Sequence, residues 1–287
     1  MNLPQIRPER SGAEKSAPEL RQRVRRLRRR LQRREEQVKV LRARAEKQAR
    51  ELALLRKASL DVFPDAPVPE RIQALAGAVR DEGLTYLEEM HLLSLASCVL
   101  EMERAGREGL VIEAGTARGG SAIVMAAAKA PDREMRVYDV FATIPPPTEA
   151  DSEDAQERYR TIAEGRAVAR DGQTYYGYRD DLLTEVTDSF ARHDLAIADH
   201  RVALIEGLFE ETLRVDGPVA LAHVDGDWYA STMTCLQRIT PHLVPGGRIV
   251  IDDYHMWSGC RDAVDEFVAE HPELRVEMRA KVHLVRR

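Results

Sequence analysis

Residues 219–255 constrain the fold more than any other stretch of the chain. An apolar run, Val219–Val224, ends in Asp225. A helix-length segment follows, closed by the turn Pro245-Gly246-Gly247. A second apolar run, Arg248–Ile251, then ends in Asp252 and Asp253. Apolar run, helix, turn and apolar run describe a βαβ unit with parallel strands. If the two strands are neighbours, Asp225, Asp252 and Asp253 meet at the carboxyl edge of a sheet, where open α/β folds bind ligands. Three carboxylates there suit a hard cation such as Mg²⁺. One acidic strand end alone reads as a helix cap or a solvated terminus; two on consecutive strands point to a site. Asp252 and Asp253 are adjacent, so their side chains reach one ion only if the strand ends or bends at that point.

A second feature lies upstream. The strand-like run GLVIEA, ending at Ala114, leads into Gly115-Thr116-Ala117-Arg118-Gly119-Gly120-Ser121 and a helix over 122–129. A strand, a glycine-rich turn and a helix start cradle the polar end of a ligand. The spacing is neither the dinucleotide G-x-G-x-x-G nor a Walker loop, which counts against a nicotinamide dehydrogenase. Ser121 is placed to cap the helix. Glu113 sits inside an apolar strand, where a carboxylate needs a partner, and a cationic amine on a ligand is one such partner. Asp139, ending the next strand at 135–140, stands where an acid meets ribose hydroxyls.

Charge divides the chain in two. Residues 1–60 carry 19 Lys/Arg against 7 Glu, a net +12, and the remaining residues carry 24 Lys/Arg against 41 Asp/Glu, a net −17. Within the basic part, positions 20, 24, 27, 31, 34, 38, 41, 45, 48, 52 and 55 alternate spacings of four and three, and nine of the eleven are apolar. This heptad predicts an oligomerising coiled coil over 19–60, after a disordered tail at 1–18. The arginines at 21–34 leave contact with an anionic membrane surface open. Nucleic acid is disfavoured, since no aromatics interleave with them and no base-reading motif is present. A Pro-rich linker at 61–69 precedes the main domain, 70–287.

Three cysteines without metal-type spacing imply reduced thiols. With no apolar leader and no apolar run near the roughly 20 residues of a membrane span, a cytoplasmic protein is expected. Helices are expected near 70–81 and 86–105, and His91 on the second reads as a surface or core residue. The stretch 141–195 is the least legible: a FATIPPP turn, a charged helix near 150–170, the tyrosine cluster at 174–178 and a helix near 181–199. The tyrosines suit either stacking on a sugar or packing beneath a long loop. A strand at 201–205, a helix at 260–271 and at least one strand within 273–286 complete the chain.

Taken in order, VIEAGTARGGSA, Asp139, GLFEETL, HVDGDWYAS, PGGRIVIDDYH and GCRDAVDEF resemble the macrocin O-methyltransferase (TylF-like) family over residues 110–270. The resemblance implies an α/β, Rossmann-like class I methyltransferase sheet of order 3-2-1-4-5-7-6. It also implies S-adenosylmethionine as cofactor, with Glu113, Gly115, Thr116, Gly119, Ser121 and Asp139 at its site. Mg²⁺ would be held by Asp225, Asp252 and Asp253, and the acceptor would be a sugar-containing molecule. The chain departs from the family at Leu208, where a tryptophan is usual, and in the FATIPPP turn. For the base that takes the acceptor's proton, Asp225 ranks first and His255 second. Asp227 reads as a neighbour of the site or a cap on the next helix, and His223 as a residue that packs or hydrogen-bonds within the strand. Competing readings are methylation of a catechol or other small diol, and a scaffold built on a degenerate methyltransferase fold.

Overall fold

The computed structural model describes Arg34, residues 66–169 and residues 172–287. Apart from Arg34, the heptad arm lies outside the described residues, and so do the coiled coil and the oligomer expected from it. The chain divides into two units, Met1–Lys57 and Ala58–Arg287, and the fold is that of the second.

Helices α1 (Glu70–Asp81) and α2 (Glu89–Arg104) come first. Strand β1 (Leu110–Ala114), helix α3 (Gly120–Ala128) and strand β2 (Met135–Asp139) form the next unit. Helices α4 (Glu153–Ala163) and α5 (Leu182–Arg192) precede strand β3 (Val202–Glu206) and a short helical turn, α6 (Phe209–Thr212). Strand β4 (Val219–Val224), helix α7 (Tyr229–Ile239), strand β5 (Leu243–Ile251) and helix α8 (Ser258–Glu270) follow. The described chain closes with β6 (Leu274–Met278) and β7 (Val282–Arg286).

The strands form one seven-stranded sheet of order β3-β2-β1-β4-β5-β7-β6. All pairs are parallel except those of β7, which runs antiparallel to β5 and β6. This is the expected order, and it makes β4 and β5 neighbours, with Val224 opposite Ile251. Central strands of a parallel sheet are covered on both faces, which is why β1 and β4 read as nearly continuous apolar runs. Val111, Val137 and Val250 pack beneath α1, α2, α3 and α5, and Ile112, Val224 and Ile249 pack against α7 and α8. Each fully buried isoleucine in these layers contributes roughly 2–3 kcal/mol.

Two local expectations change. Pro245-Gly246-Gly247 is not the turn that closes a helix. Helix α7 stops at Ile239, a 3₁₀ turn spans Thr240–His242, and the Pro-Gly-Gly lies inside β5 as an irregularity. The pairing jumps there from Val219 with Leu243 to Leu221 with Arg248, and Gly246 takes φ +72°. Extra residues in one strand are absorbed as a bulge that needs such a conformation. The stretch 141–195 also holds shorter helices than its charge pattern suggested. Cys98, Cys235 and Cys260 are buried free thiols. Among the described residues no helix is long and apolar enough to cross a membrane.

Candidate active site

The carboxyl ends of β1, β4 and β5 are locked side by side. Asp225 N donates to Ala114 O at 2.8 Å, and Asp252 N donates to Val224 O at 2.9 Å. Above them opens a cleft of about 570 Å³. That is within the roughly 300–1,000 Å³ of small-molecule sites. Its walls include Gly115, Thr116, Ala117, Ser121 and Asp139 from the first two strands, and Asp225, Asp227, Asp252 and Asp253 from the others.

The acids that gather are Asp225, Asp227 and Asp253, with one oxygen of each within 4.8 Å of the others. Strand β5 ends at Ile251, and the chain turns into α8 as Asp253 O accepts from Met256 N and Trp257 N. Asp253 then faces the cleft, and its Oδ2 accepts from Asp227 N at 3.0 Å. Asp227 takes φ +56°, a backbone state costly for a non-glycine residue, and Trp257 Nε1 donates to its Oδ1 at 2.6 Å. The three lack a cationic neighbour at ion-pair distance among the described residues. Burial, then the charges of Asp253, Asp252 and Asp227, push Asp225 well above the usual carboxylate range. Burial and the Asp253 charge do the same to Asp227, and burial with the Asp252 charge lifts Asp253 to about 6. Like charges held this closely disfavour ionisation, which a divalent cation would reverse. By donor chemistry and by this uncompensated charge, the trio fits Mg²⁺.

Asp252 is not part of that trio. Successive residues face opposite sides, so its carboxylate turns to the sheet face carrying His223. Asp252 Oδ1 lies 3.5 Å from His223 Nε2, and Oδ2 lies 3.0 Å from Lys281 Nζ. Against burial, which raises it, these two partners hold Asp252 down to about 2.

Glu113 also has its partners within the protein. It is fully buried, pairs with His223 Nδ1 at 2.9 Å and accepts from Thr116 Oγ1 at 2.6 Å. It therefore lies behind the cleft wall, and the ligand amine expected as its partner is replaced by an imidazole. His223 is itself wholly buried. Burial would lower its pKa, but Asp252 and Glu113 outweigh that and raise it to about 9. Of packing and hydrogen bonding, His223 does the second: it is a charged bridge between β1 and the end of β5.

Gly115 has φ +90°, and a Cβ there would overlap the Asp225 carbonyl. Only glycine allows β1 and β4 to approach this closely. Gly119 is the N-cap of α3 with φ +88°, packs toward Val186 and stays outside the cleft lining. Ser121 lines the cleft from the first turn of α3 and does not cap it, since the cap carries no side-chain bond. Asp139 is buried, and burial raises its pKa. It organises the loop by accepting from Thr116 N at 2.7 Å, Ala117 N at 3.1 Å and Phe141 N at 2.8 Å. His255 is exposed and outside the cleft lining, its ring against Tyr254, with its pKa lowered first by burial and then by Lys281 and Arg261.

Sequence reasoning did not single out Lys281, Trp257 or Arg158 and read His91 as a surface or core residue, yet all four line the cleft. It also gave Asp227 a lesser role. The one signal for Asp227 was its place two residues beyond a strand-end acid. The tyrosine cluster divides. Tyr175 is buried among Ile162 and Ala167, and Tyr176, 4.5 Å from it between ring centres, packs against the main core; both reach the cleft. Leu208 lines the cleft as well.

The model of the macrocin-O-methyltransferase (TylF) family matches residues 22–279. The demethyldecarbamoylnovobiocin O-methyltransferase of Streptomyces niveus is 30% identical over 210 residues, covering 67% of this chain and 73% of that protein. The mycinamicin III 3''-O-methyltransferase of Micromonospora griseorubida is 33% identical over 195 residues, covering 65% and 71%. Among solved structures, the O-methyltransferase NovP superposes with a TM-score of 0.61 at 26% identity, covering 75% of this chain and 96% of that one. With the family model spanning nearly the whole chain and the acids and glycine loop falling where the fold places its site, this protein belongs to the macrocin-O-methyltransferase (TylF) family.

Proposed function

We propose that the protein transfers a methyl group from S-adenosylmethionine to a hydroxyl of a sugar-containing acceptor, assisted by Mg²⁺. The observation that carries this reading is the convergence of Asp225, Asp227 and Asp253 on the cleft that the glycine loop also lines. Relatives named as sugar or natural-product O-methyltransferases support it. In this reading residues 70–287 are the catalytic domain, and the heptad at 20–55 joins copies of the chain.

The bound cofactor supplies an activated methyl group, and bound Mg²⁺ supplies positive charge that lowers the pKa of the acceptor hydroxyl. Asp225, Asp227 and Asp253 would hold the ion, and Asp227, one oxygen of which is fixed by Trp257 Nε1, would also accept the proton. Gly115, Thr116, Ser121 and Asp139 shape the cofactor's end of the cleft, with Asp139 holding the loop by three backbone amides. Glu113 and His223 act from behind, fixing Thr116 on one side and Asp252 on the other. The chain's work is thus to align donor and acceptor and to receive one proton.

The test is formation of S-adenosylhomocysteine and a methylated product with a panel of glycosides and a catechol control. Asp225→Asn and excess chelator should each abolish turnover while circular dichroism stays unchanged. Full activity under either condition would defeat the metal-assisted reading.

A further inference from the structure

The cleft lining holds a cation without a hydrogen bond or ion pair among the described residues. Arg158, on α4, is half-buried and lines the cleft. A guanidinium offers five N–H donors, which carboxylate and phosphate oxygens accept. Arg158 has no hydrogen bond or ion pair among the described residues. Its one close contact is with the face of Tyr175, 5.6 Å from the ring centre. Stacking fixes the plane of a guanidinium and leaves its edge free to bond.

Its neighbours are all engaged. Arg118 bonds Glu185 at 2.5 Å and Gly83 O at 2.8 Å. Arg179 bonds Glu185 at 2.9 Å. Lys281, the other permanent cation lining the cleft, bonds Asp252 at 3.0 Å. Arg158 lines the same cleft as the acid trio.

From this placement we infer that Arg158 is the receptor for an anionic group on the acceptor, so that the substrate is an acidic sugar bearing a carboxylate or a phosphate. A planar fork of donors matches either oxyanion in bidentate fashion. The inference rests on the methyl-transfer reading for the presence of an acceptor in the cleft, but the charge preference it predicts is measurable without turnover.

Calorimetry on the full-length protein decides it, with methyl β-glucuronide, glucose 1-phosphate and methyl β-glucoside as probes, with and without S-adenosylhomocysteine. Each arm is run with Mg²⁺ and again with chelator, so that an anion held by the metal is told apart from one held by Arg158. At least one acidic probe should bind about tenfold or more tightly than the neutral glucoside, as expected for a charge-assisted contact. The better of the two acidic arms identifies carboxylate or phosphate. Arg158→Gln should erase the preference while leaving S-adenosylhomocysteine affinity unchanged, and Arg158→Lys should restore part of it. Equal affinity for all three probes, or a preference that survives in Arg158→Gln, would overturn the inference. So would a loss of S-adenosylhomocysteine affinity in that variant, which would assign Arg158 to the cofactor. Failure of the wild type to bind S-adenosylhomocysteine refutes methyl transfer instead, and the arms without it still decide the charge preference.

Discussion

Replacing His223 with glutamine should remove a stabilisation that depends on pH. His223 is fully buried between Glu113 Oε1 at 2.9 Å and Asp252 Oδ1 at 3.5 Å. Its pKa is raised from 6.5 to about 9. A group whose folded pKa lies above its unfolded value contributes stability that is full below the unfolded pKa and is lost as pH rises through the folded one. A rise of that size corresponds to about 3 kcal/mol at about 1.4 kcal/mol per unit. The depression of Asp252 to about 2 reports the same contact from the other side and is not added. Wild type should therefore exceed His223→Gln by about 3 kcal/mol at pH 6, and the gap should close between pH 7 and 9.5. Urea denaturation of both proteins in chelator measures it, and carboxylates and lysines titrating elsewhere cancel in the difference. For a domain of this size the gap at pH 6 is a Tm difference of about 6–12 °C. A gap of constant size from pH 6 to 9.5 would show that His223 is neutral in the fold and that the bridge carries no charge.

Other consequences are as direct. Mg²⁺ at about 100 times its Kd should stabilise the protein by about 2.7 kcal/mol, a Tm rise of roughly 5–10 °C at pH 7.5. Asp253 is lifted to about 6, so the metal-free fold binds more protons than the unfolded chain between about pH 4 and 6 and loses stability as pH rises through that window. The Mg²⁺ increment should accordingly shrink at pH 5, and an increment unchanged by pH would count against the acid trio as the binding site. Gly115→Ala, whose Cβ meets the Asp225 carbonyl at φ +90°, should cost about 2 kcal/mol or more by urea denaturation and weaken S-adenosylhomocysteine binding at least tenfold by calorimetry. Gly77→Ala, inside α1 with nothing within 4 Å of the new Cβ, should instead stabilise by up to about 1 kcal/mol, and a destabilised variant would refute the packing argument. Trp257→Phe removes the donor to Asp227 and should lower kcat about tenfold with the KM for S-adenosylmethionine unchanged; an equal effect on both would place Trp257 at the cofactor.

What the sequence shows and hides follows from the range of each contact. The apolar runs of β1, β4 and β5, their acidic ends and the glycine loop are local patterns, so they could be read directly. The partner of Glu113 could not. His223 lies 110 residues away and becomes its neighbour only through the β1–β4 register, in which Glu113 stands opposite His223. The anomaly of a carboxylate in an apolar strand was visible, and only the identity of its partner was missing. Asp252 and Asp253 show the reverse case. The alternation of strand side chains predicted that they would diverge, but which one joins Asp225 depends on the turn into α8. Asp227 was hidden because its left-handed backbone is a product of the loop it occupies. His255 ranked second as the base on sequence proximity alone, and the turn that places Asp253 beside Asp225 carries His255 out to solvent.

The segment between β2 and α5 is fastened to the loops after both β4 and β5. Asp151 Oδ1 accepts from Tyr229 N at 2.6 Å at the start of α7, and Asp154 accepts from Ser258 N at 3.0 Å at the start of α8. Trp228 Nε1 adds a bond to Pro145 O at 3.0 Å. Gly259 lacks a Cβ where Asp151 Oδ1 sits, so the fit is reciprocal. The segment is in this sense a cartridge with two fixed plugs. On the proposed reading, the cleft-lining residues beyond Asp154 that carry no core packing, Arg158 first, are the ones to exchange for other acceptor chemistries, provided that Asp151, Asp154 and Gly259 are kept. A graft that cuts at the plugs would disturb the acid loops themselves, whereas one that cuts after them would change what is methylated and leave the methylating end intact.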